Sequence, residues 1–158
     1  MIELATLTDI AALTRQYQQL TTEMHQLQPT TYQANYSPDF FEWEKMLTDP
    51  NQAVYVQRLS DQQIVGFCHV TTARTTDSAL FMPHYFAYLT AIFVQPKTRR
   101  NGTASQLIQA AQTWQQVQQL AYLELTTLGN NQAATKLYQK LGFVTQNSTL
   151  RLAGDKNA

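Results

Sequence analysis

Cysteine is almost missing from this sequence, and so are the residue spacings that hold a structural metal. Cys68 is the only cysteine in 158 residues, so no disulfide can form within the chain. A cysteine and a histidine are adjacent at Cys68-His69, but neighbours on a strand point to opposite faces of the sheet. We therefore expect neither a disulfide framework nor a metal site.

Excess charge and long apolar runs are absent too. Eleven basic and eleven acidic residues cancel, charged residues make up only 14% of the chain, and no basic stripe marks a nucleic-acid surface. There is no apolar run of about 18 residues that would cross a membrane, and no basic-then-apolar leader. These absences predict a cytoplasmic protein without nucleic-acid or membrane partners. The length suits a single domain over residues 1–158.

Apolar periodicity predicts two helices and a hairpin in the first half. A long helix carries its apolar stripe from Ile10 to Leu27, with Thr8 or Asp9 as the expected cap. A second helix is expected to start at Ser37-Pro38, with Ser as cap and Pro at the first helical position. The strands of this half are expected at Ile2–Ala5, Val54–Leu59 and Ile64–Thr71, of which the last two form the hairpin.

The second half follows a strand-helix-strand-helix pattern. A helix is expected from Thr103 onwards, and another has its apolar face on Ala134–Leu141. Gly142 stands where a left-handed residue would end that last helix. The strands of this half are expected at Phe86–Val94 and Tyr122–Thr127, with two last strands at Phe143–Gln146 and Thr149–Leu152.

This order of elements predicts an α/β (α+β) fold. The hairpin implies antiparallel pairing, and the later strand-helix-strand units imply some parallel pairing. A mixed sheet with helices packed on it follows, because both kinds of element must bury an apolar face.

A basic, turn-rich segment joins the long strand to the helix at Thr103. Lys97, Arg99 and Arg100 fall close together, and the small or turn-tolerant residues Asn101–Ala104 follow at once. A helix N-terminus offers unpaired N–H groups and the positive end of the helix dipole, and glycine lets a backbone approach a ligand closely. The segment is therefore either a phosphate site or, equally, a basic loop with a helix-capping Asn or Thr. It lacks the spacing of a P-loop and the glycines of a Rossmann fingerprint.

The segment from Val94 to Ala104 resembles the acyl-CoA signature of the GNAT superfamily of N-acetyltransferases. That signature reads Gln/Arg-x-x-Gly-x-Gly/Ala between the fourth strand and the third helix, and it is filled here by Arg99, Gly102 and Ala104. The family's fifth strand and fourth helix are resembled by Leu123-Glu124-Leu125 and by Asn131-x-x-Ala134-x-x-x-Tyr138-x-x-x-Gly142-Phe143. The resemblance implies a mixed, mostly antiparallel sheet of about six to seven strands, with about four helices on both faces. It also implies that the fourth and fifth strands splay apart.

The resemblance assigns a cofactor and site residues as well. Acetyl-CoA would be the co-substrate, and its pantetheine arm would lie between the splayed strands and pair with backbone groups of Ile92, Phe93 and Val94. Asn131 would line the pantetheine side, and Tyr138 would point toward the thioester sulfur. The pyrophosphate would be held by amides of Arg99, Arg100, Asn101, Gly102, Thr103 and Ala104.

Tyr138 has two interpretations. Amide formation from a thioester needs a neutral amine, a polarised carbonyl and a protonated leaving thiolate, and a tyrosine hydroxyl can supply that last proton. Helical spacing alone places Tyr138 beside Leu137 and Leu141 on an apolar face, which is also the pattern of a core aromatic. The resemblance favours the acid.

Thr90 stands where the family commonly has a glutamate as general base. A threonine hydroxyl cannot act as a base near neutral pH, so another group or a chain of waters would have to take the proton. The possible stand-ins, each of which also has a plain packing or covering role, are Glu124, His69, His84, Tyr85 and Tyr88.

Two functions follow from the resemblance. The first is an acetyl-CoA-dependent N-acyltransferase that moves an acetyl group to a primary amine by direct attack in a ternary complex, because no nucleophile for a covalent intermediate is marked. The second is a catalytically weak or inactive acyl-CoA-binding regulatory module, which the missing glutamate at Thr90 keeps open. The acceptor is expected to be a small-molecule or peptide amine, walled by Phe40–Trp43 and Arg74–Tyr88, and a homodimer is compatible with the family.

Overall fold

The computed structural model describes residues 1–154; residues 155–158, the last four of the predicted single domain, lie outside the described residues. The described part holds five strands and four α-helices. In chain order these are β1 (Ile2–Leu4), α1 (Ile10–Leu27), α2 (Phe40–Thr48), β2 (Gln52–Arg58), β3 (Ile64–Arg74), β4 (Tyr85–Val94), α3 (Thr103–Val117), β5 (Leu123–Leu125) and α4 (Gln132–Lys140).

The five strands form one mixed sheet in the order β1-β2-β3-β4-β5. The three pairings from β1 to β4 are antiparallel, and β4 pairs with β5 in parallel. The mixed, mostly antiparallel sheet is therefore confirmed. The parallel pair requires a crossover, which α3 supplies.

The number of strands was predicted too high. The segments Phe143–Gln146 and Thr149–Leu152 are not strands in the structure. Apart from Phe143, which packs against the core, their apolar side chains stay in solvent, with Val144 75%, Leu150 94% and Leu152 96% exposed. An alternating pattern favours an extended chain, but a strand also needs a neighbouring edge for its hydrogen bonds, and this segment does not reach one.

The sheet carries helices on both faces, as predicted. On one face α1 and α2 cover a cluster that includes the fully buried Leu13, Trp43 and Phe67. On the other face α3 packs its apolar side on the sheet, with Leu107 fully buried. Gly66 lets β3 and β4 fit together within the sheet, because a Cβ there would lie 2.9 Å from the Phe93 carbonyl oxygen on β4. Each face thus has its own core.

Local capping differs from the prediction at the first two helices. The second helix begins at Phe40 rather than at Ser37-Pro38, because Asp39 caps it: its carboxylate accepts from the Glu42 N–H at 2.8 Å. The Glu42 carboxylate accepts in return from the Asp39 N–H at 2.8 Å, which satisfies a second free donor. At α1, Asp9 does not cap the helix; its carboxylate accepts from the Thr6 N–H at 2.8 Å.

Candidate functional site

The pairing between β4 and β5 stops half-way along β4. The three paired positions run from Ala87 opposite Leu123 to Leu89 opposite Leu125. From Thr90 to Val94, β4 continues without a β5 partner in the described part of the chain. This is the geometry that splayed strands predict, and it leaves one edge of β4 open.

A β-bulge lies where the pairing stops. His69 is opposite Ala91 and Val70 is opposite Leu89, so Thr90 is the one extra residue on β4. An extra residue changes which backbone groups face each neighbouring strand, and bulges are frequent next to active sites. The bulge therefore separates a paired half of β4 from an open half.

The open half presents alternate backbone groups to the gap. The Gln95 N–H donates to the Val65 carbonyl oxygen on β3 at 2.8 Å. Because every second residue of an antiparallel strand faces the same way, the backbone of Phe93 also faces β3. The N–H and C=O groups of Ile92 and the N–H of Val94 face the open side. Of the three residues expected to pair with a ligand, two are thus oriented for it.

Arg99 follows β4 and braces its end. Its Nε donates to the Val94 carbonyl oxygen at 2.8 Å, and its Nη2 donates to Glu23 Oε1 on α1 at 2.7 Å. The guanidinium also lies over the ring of Phe93, 5.4 Å from its centroid. The side chain therefore ties β4 to α1. The ion pair between Arg99 and Glu23 could not be predicted from the sequence, because the two residues lie 76 positions apart along the chain.

The N-terminus of α3 is uncapped and open. Gly102 occupies the cap position at φ 80°, without a side-chain cap, and a Cβ there would meet no atom within 4 Å. The Gln106 N–H makes the first helical bond, to the Gly102 carbonyl oxygen at 3.0 Å, which leaves the N–H groups of residues 103–105 without helical partners. A second positive φ falls on Arg100, at 65°, rather than on Asn101. The predicted residues Thr103 and Ala104 thus have backbone N–H groups without helical partners, the arrangement that anion sites at helix N-termini use.

Tyr138 is held on α4 by the turn that ends the helix. Gly142 adopts φ 94°, and the Phe143 N–H donates back to the Tyr138 carbonyl oxygen at 3.0 Å. The Tyr138 ring then packs edge-on against Phe143 at 5.7 Å. Burial raises the pKa of Tyr138 above its ordinary 10.0, so the hydroxyl keeps its proton at neutral pH. A fixed, protonated phenol is suited to donate that proton.

Asn131 has a structural role besides the one that the resemblance implies. Its Oδ1 accepts from the Ala134 N–H at 3.2 Å and so caps α4. This bond fixes the orientation of the side-chain amide and leaves its Nδ2 group as a donor. The same residue can therefore anchor the helix that carries Tyr138 and offer a hydrogen bond to a ligand.

The aromatic candidates for the missing base are engaged elsewhere. His84 is hydrogen-bonded through Nε2 to the Tyr122 hydroxyl at 2.6 Å and through Nδ1 to the Met82 carbonyl oxygen at 2.7 Å. The Tyr88 hydroxyl pairs with Thr126 Oγ1 at 2.7 Å. Tyr85 is 55% exposed beneath the guanidinium of Arg74.

Two candidates remain on the sheet face that carries α1 and α2. Leu123 and Leu125 pack into the core under α3, so Glu124 between them faces the other way, directly across from Tyr88. His69 is 7% exposed, and its Nδ1 lies 2.5 Å from Thr90 Oγ1. Burial lowers the pKa of His69 to about 4, so the ring is neutral at physiological pH.

The expected wall around the acceptor is corrected at one position. Trp43 is fully buried and packs edge-on against Tyr17 at 5.8 Å, so it belongs to the core. Phe40 and Phe41, on the outer side of the same helix, are 54% and 75% exposed and remain available to contact a ligand. The helical period separates these two roles within four residues.

The described residues also bear on membranes and metals. Among residues 1–154, no helix is both long enough and apolar enough to span a bilayer. In the same range, no three His, Cys, Asp or Glu side chains come together as metal ligands would.

Comparison with known proteins identifies the family. The model of the acetyltransferase (GNAT) family matches residues 15–143, which is most of the sequence. The chain belongs to the acetyltransferase (GNAT) family. The match includes the open half of β4, the α3 N-terminus and Tyr138, and members of this family use acetyl-CoA.

Individual relatives agree with this assignment. The chain is 30% identical over 109 residues to the N-terminal acetyltransferase B complex catalytic subunit NAT3 of Saccharomyces cerevisiae, over 67% of this chain. It spans about half (49%) of the length of that yeast relative. The fold is shared with a point mutant of the BH1408 protein from Bacillus halodurans, at a TM-score of 0.89 and 18% identity, over 97% of this chain and 98% of that one. It is also shared with the aminoglycoside N-acetyltransferase AAC(6')-Iy in complex with CoA, at a TM-score of 0.69 and 20% identity, over 98% and 99%.

Proposed function

We propose that this chain transfers an acetyl group from acetyl-CoA to a primary amine by direct attack within a ternary complex. The observation that carries the proposal is the open edge of β4 next to the uncapped N-terminus of α3. An extended arm can add to the edge as a strand would, and a pyrophosphate can receive the free N–H groups at the helix.

The residues on the open edge fit this ligand. Ile92 and Val94 face the gap with their backbone groups, while Phe93 serves the core with a side chain that is 3% exposed. Thr103 and Ala104 offer free N–H groups, and the space above Gly102 is unobstructed. Arg100 is exposed and adds positive charge, and Asn131 offers its Nδ2 from the opposite side.

The chemistry divides among these groups. Bound acetyl-CoA supplies an activated thioester. The backbone N–H of Ile92 polarises its carbonyl, and the neutral amine forms the new C–N bond as the C–S bond breaks. The Tyr138 hydroxyl gives its proton to the departing sulfur, and the amine nitrogen releases one proton to solvent. Tyr138 is restored when its oxygen takes up one proton from solvent.

The acceptor class follows from the relatives and from the rim of the site. The yeast relative is named for N-terminal acetylation and the solved one for aminoglycosides, so both names describe transfer to an amine. The exposed Phe40 and Phe41 offer apolar contact rather than charge. We therefore propose a small-molecule or peptide amine of low charge as the acceptor, bound on the face that carries α1 and α2.

A second function is favoured by one observation. Thr90 offers no carboxylate at the bulge, so the chain could hold acetyl-CoA and act as a regulatory module with little or no turnover. Binding without acetylation of any primary amine would distinguish this function from the first.

The first test is calorimetric titration of acetyl-CoA into the protein and two variants at Gly102. Gly102→Glu places a carboxylate where the phosphates bind, and we expect it to weaken binding by at least about 100-fold, which corresponds to about 2.7 kcal/mol. Gly102→Ala is the matched control, since it carries the same strain at φ 80° without the charge.

The control decides how a loss is interpreted. We expect Gly102→Ala to weaken binding far less than the glutamate variant, because a methyl group at this open position blocks no phosphate. Equal binding by all three proteins would place the phosphates elsewhere, and no binding by the wild type would reject the proposed function altogether.

A further inference from the structure

Four polar side chains form a continuous chain from the surface of α2 to the bulge on β4. Gln52 Nε2 donates to Asp49 Oδ2 at 3.1 Å. Gln52 Oε1 lies 2.8 Å from His69 Nε2, and His69 Nδ1 lies 2.5 Å from Thr90 Oγ1. Each member comes from a different part of the fold: the end of α2, β2, β3 and β4.

The donors and acceptors in this chain have one consistent assignment. The Asp49 carboxylate only accepts, so the Gln52 amide nitrogen faces it and the amide oxygen faces His69. That oxygen also only accepts, so His69 carries its proton on Nε2. Nδ1 is then the bare nitrogen, and at 2.5 Å it accepts from the Thr90 hydroxyl in preference to the His69 carbonyl oxygen, the other acceptor within reach at 3.2 Å. The proton of Thr90 therefore points inward, and the lone pairs of its oxygen point outward.

Thr90 is the exposed end of this chain. His69 is 7% exposed, whereas Thr90 is exposed at the point where β4 leaves β5. It lies two residues before Ile92, a spacing of roughly 6 Å along a strand. That span accommodates one acyl carbonyl and one attacking nitrogen. The face on which Thr90 lies is the one that carries α1 and α2, which is the proposed acceptor side.

We propose that Thr90 is a catalytic residue that binds the acceptor amine, and that His69 is a positioning residue that locks its hydroxyl. This inference rests on the proposed function. The outward lone pairs of Thr90 accept a hydrogen bond from the amine N–H, which directs the nitrogen lone pair at the carbonyl held by Ile92. Gln52 and Asp49 hold His69 in the tautomer that this requires.

Proton removal by His69 is a different mechanism, and its basicity argues against it. The pKa of His69 is lowered to about 4 by burial. An α-amino group titrates near about 8, so His69 falls roughly 10,000-fold short as a proton acceptor for such an amine. The hydroxyl therefore orients the amine, and the proton leaves to solvent.

The test compares Thr90→Val with Thr90→Ser in acetylation of a free-N-terminus peptide of low charge and of a small primary monoamine. Valine keeps the branched shape without the hydroxyl. We expect kcat/KM for the acetylated amine to fall about 10-fold, mainly through KM, with the Kd for acetyl-CoA unchanged. Serine restores the hydroxyl, so we expect its kcat/KM to stay within about 3-fold of the wild type.

His69→Gln, alone and combined with Thr90→Val, tests the positioning role. His69 acts only through Thr90, so we expect the double variant to lose no more activity than Thr90→Val. The pH profile of kcat/KM in the wild type should follow the ionisation of the amine, with no inflection from His69 above about pH 5. Thr90→Val should lower kcat/KM by the same factor at every pH.

Several results would overturn the inference. These are an unchanged kcat/KM in Thr90→Val, a Thr90→Ser variant as impaired as Thr90→Val, or additive losses in the double variant. A larger loss of kcat/KM in Glu124→Gln, together with a shifted pH profile, would make Glu124 rather than Thr90 the group that accepts from the amine N–H. A wild-type protein that binds acetyl-CoA but acetylates neither amine would overturn both this inference and the transferase function, whereas a loss in Thr90→Val that Thr90→Ser avoids, together with a loss in His69→Gln, supports both.

Discussion

The two edges of β4 differ in how completely they are paired. Toward β3, the register holds nine residue pairs and continues past the bulge to Val94. Toward β5, it holds three and stops at Leu89. β4 is thus paired along almost its whole length on the side of β3 and open over half its length on the side of β5. The bulge at Thr90 marks the change, because beyond it Ile92 and Val94 turn their backbone groups to the gap.

The difference between the edges assigns different consequences to mutation. Changes along the β3 edge should lower stability and, except at the positioning residue His69, leave the chemistry intact. Changes around the β5 edge should lower activity and alter stability little, because the groups there make few contacts that hold the fold together. The predictions below probe this division, beginning with the largest effect.

Tyr138→Phe should lower kcat by about 100- to 10,000-fold, since it removes the hydroxyl that protonates the leaving sulfur and keeps the ring packed on Phe143. We expect the Kd for acetyl-CoA and the melting temperature to change little. Because burial raises the pKa of Tyr138 above 10.0, wild-type kcat should not fall on the alkaline side below about pH 10. Steady-state kinetics across pH, with calorimetry on both proteins, measures all three quantities. Full activity in Tyr138→Phe would make Tyr138 a core aromatic only.

The pH dependence of stability probes the β3 edge through His69. The pKa of His69 is about 4 in the folded protein and near 6.5 when solvated. Between these two pH values His69 is therefore protonated in the unfolded chain and neutral in the folded one. The resulting stability is present above about pH 6.5 and is lost as the pH falls toward 4. We expect the free energy of unfolding to drop by about 3 kcal/mol between pH 7 and pH 4 from this residue.

His69→Gln provides the comparison for that measurement. Urea unfolding at several pH values should give a shallower loss in the variant, because glutamine does not titrate. Asp9, whose pKa is kept low by the Thr6 N–H and by Arg58 against the opposing effect of burial, also loses stability in acid, and it does so in both proteins. Identical slopes in the two proteins would show that His69 is not held neutral by the fold.

Local sequence signals predicted the features that depend on neighbouring residues. Asn131 caps α4 through its side-chain oxygen, and Gly142 ends it with a positive φ at the position expected of a left-handed residue. α3 begins at Thr103 as expected, but its cap position holds Gly102 rather than a capping Asn or Thr. These positions also define the loop and helix on which the family signature rests. The local geometry on the cofactor side was therefore predictable, whereas the cofactor contacts of its individual residues stay predictions.

Features that depend on distant partners were not predictable in this way. At Thr90 the sequence showed only that the family's common glutamate is replaced, and His69 was one of five candidate stand-ins for the base. In the structure the Thr90 and His69 side chains lie 2.5 Å apart at the bulge. Arg99 looked free to bind phosphate, but Glu23 lies 76 positions away along the chain and holds it. The two last strands failed for the same reason, because pairing depends on an edge that periodicity does not describe.

The central claim is that acetyl-CoA binds as an added strand on the open half of β4. Amide hydrogen exchange, resolved by residue with and without acetyl-CoA, tests it directly. We expect the Ile92 and Val94 amides to exchange quickly in the free protein and to become protected on binding, while the Phe93 amide is protected in both states. Unchanged exchange at Ile92 and Val94 in a protein saturated with acetyl-CoA would contradict it.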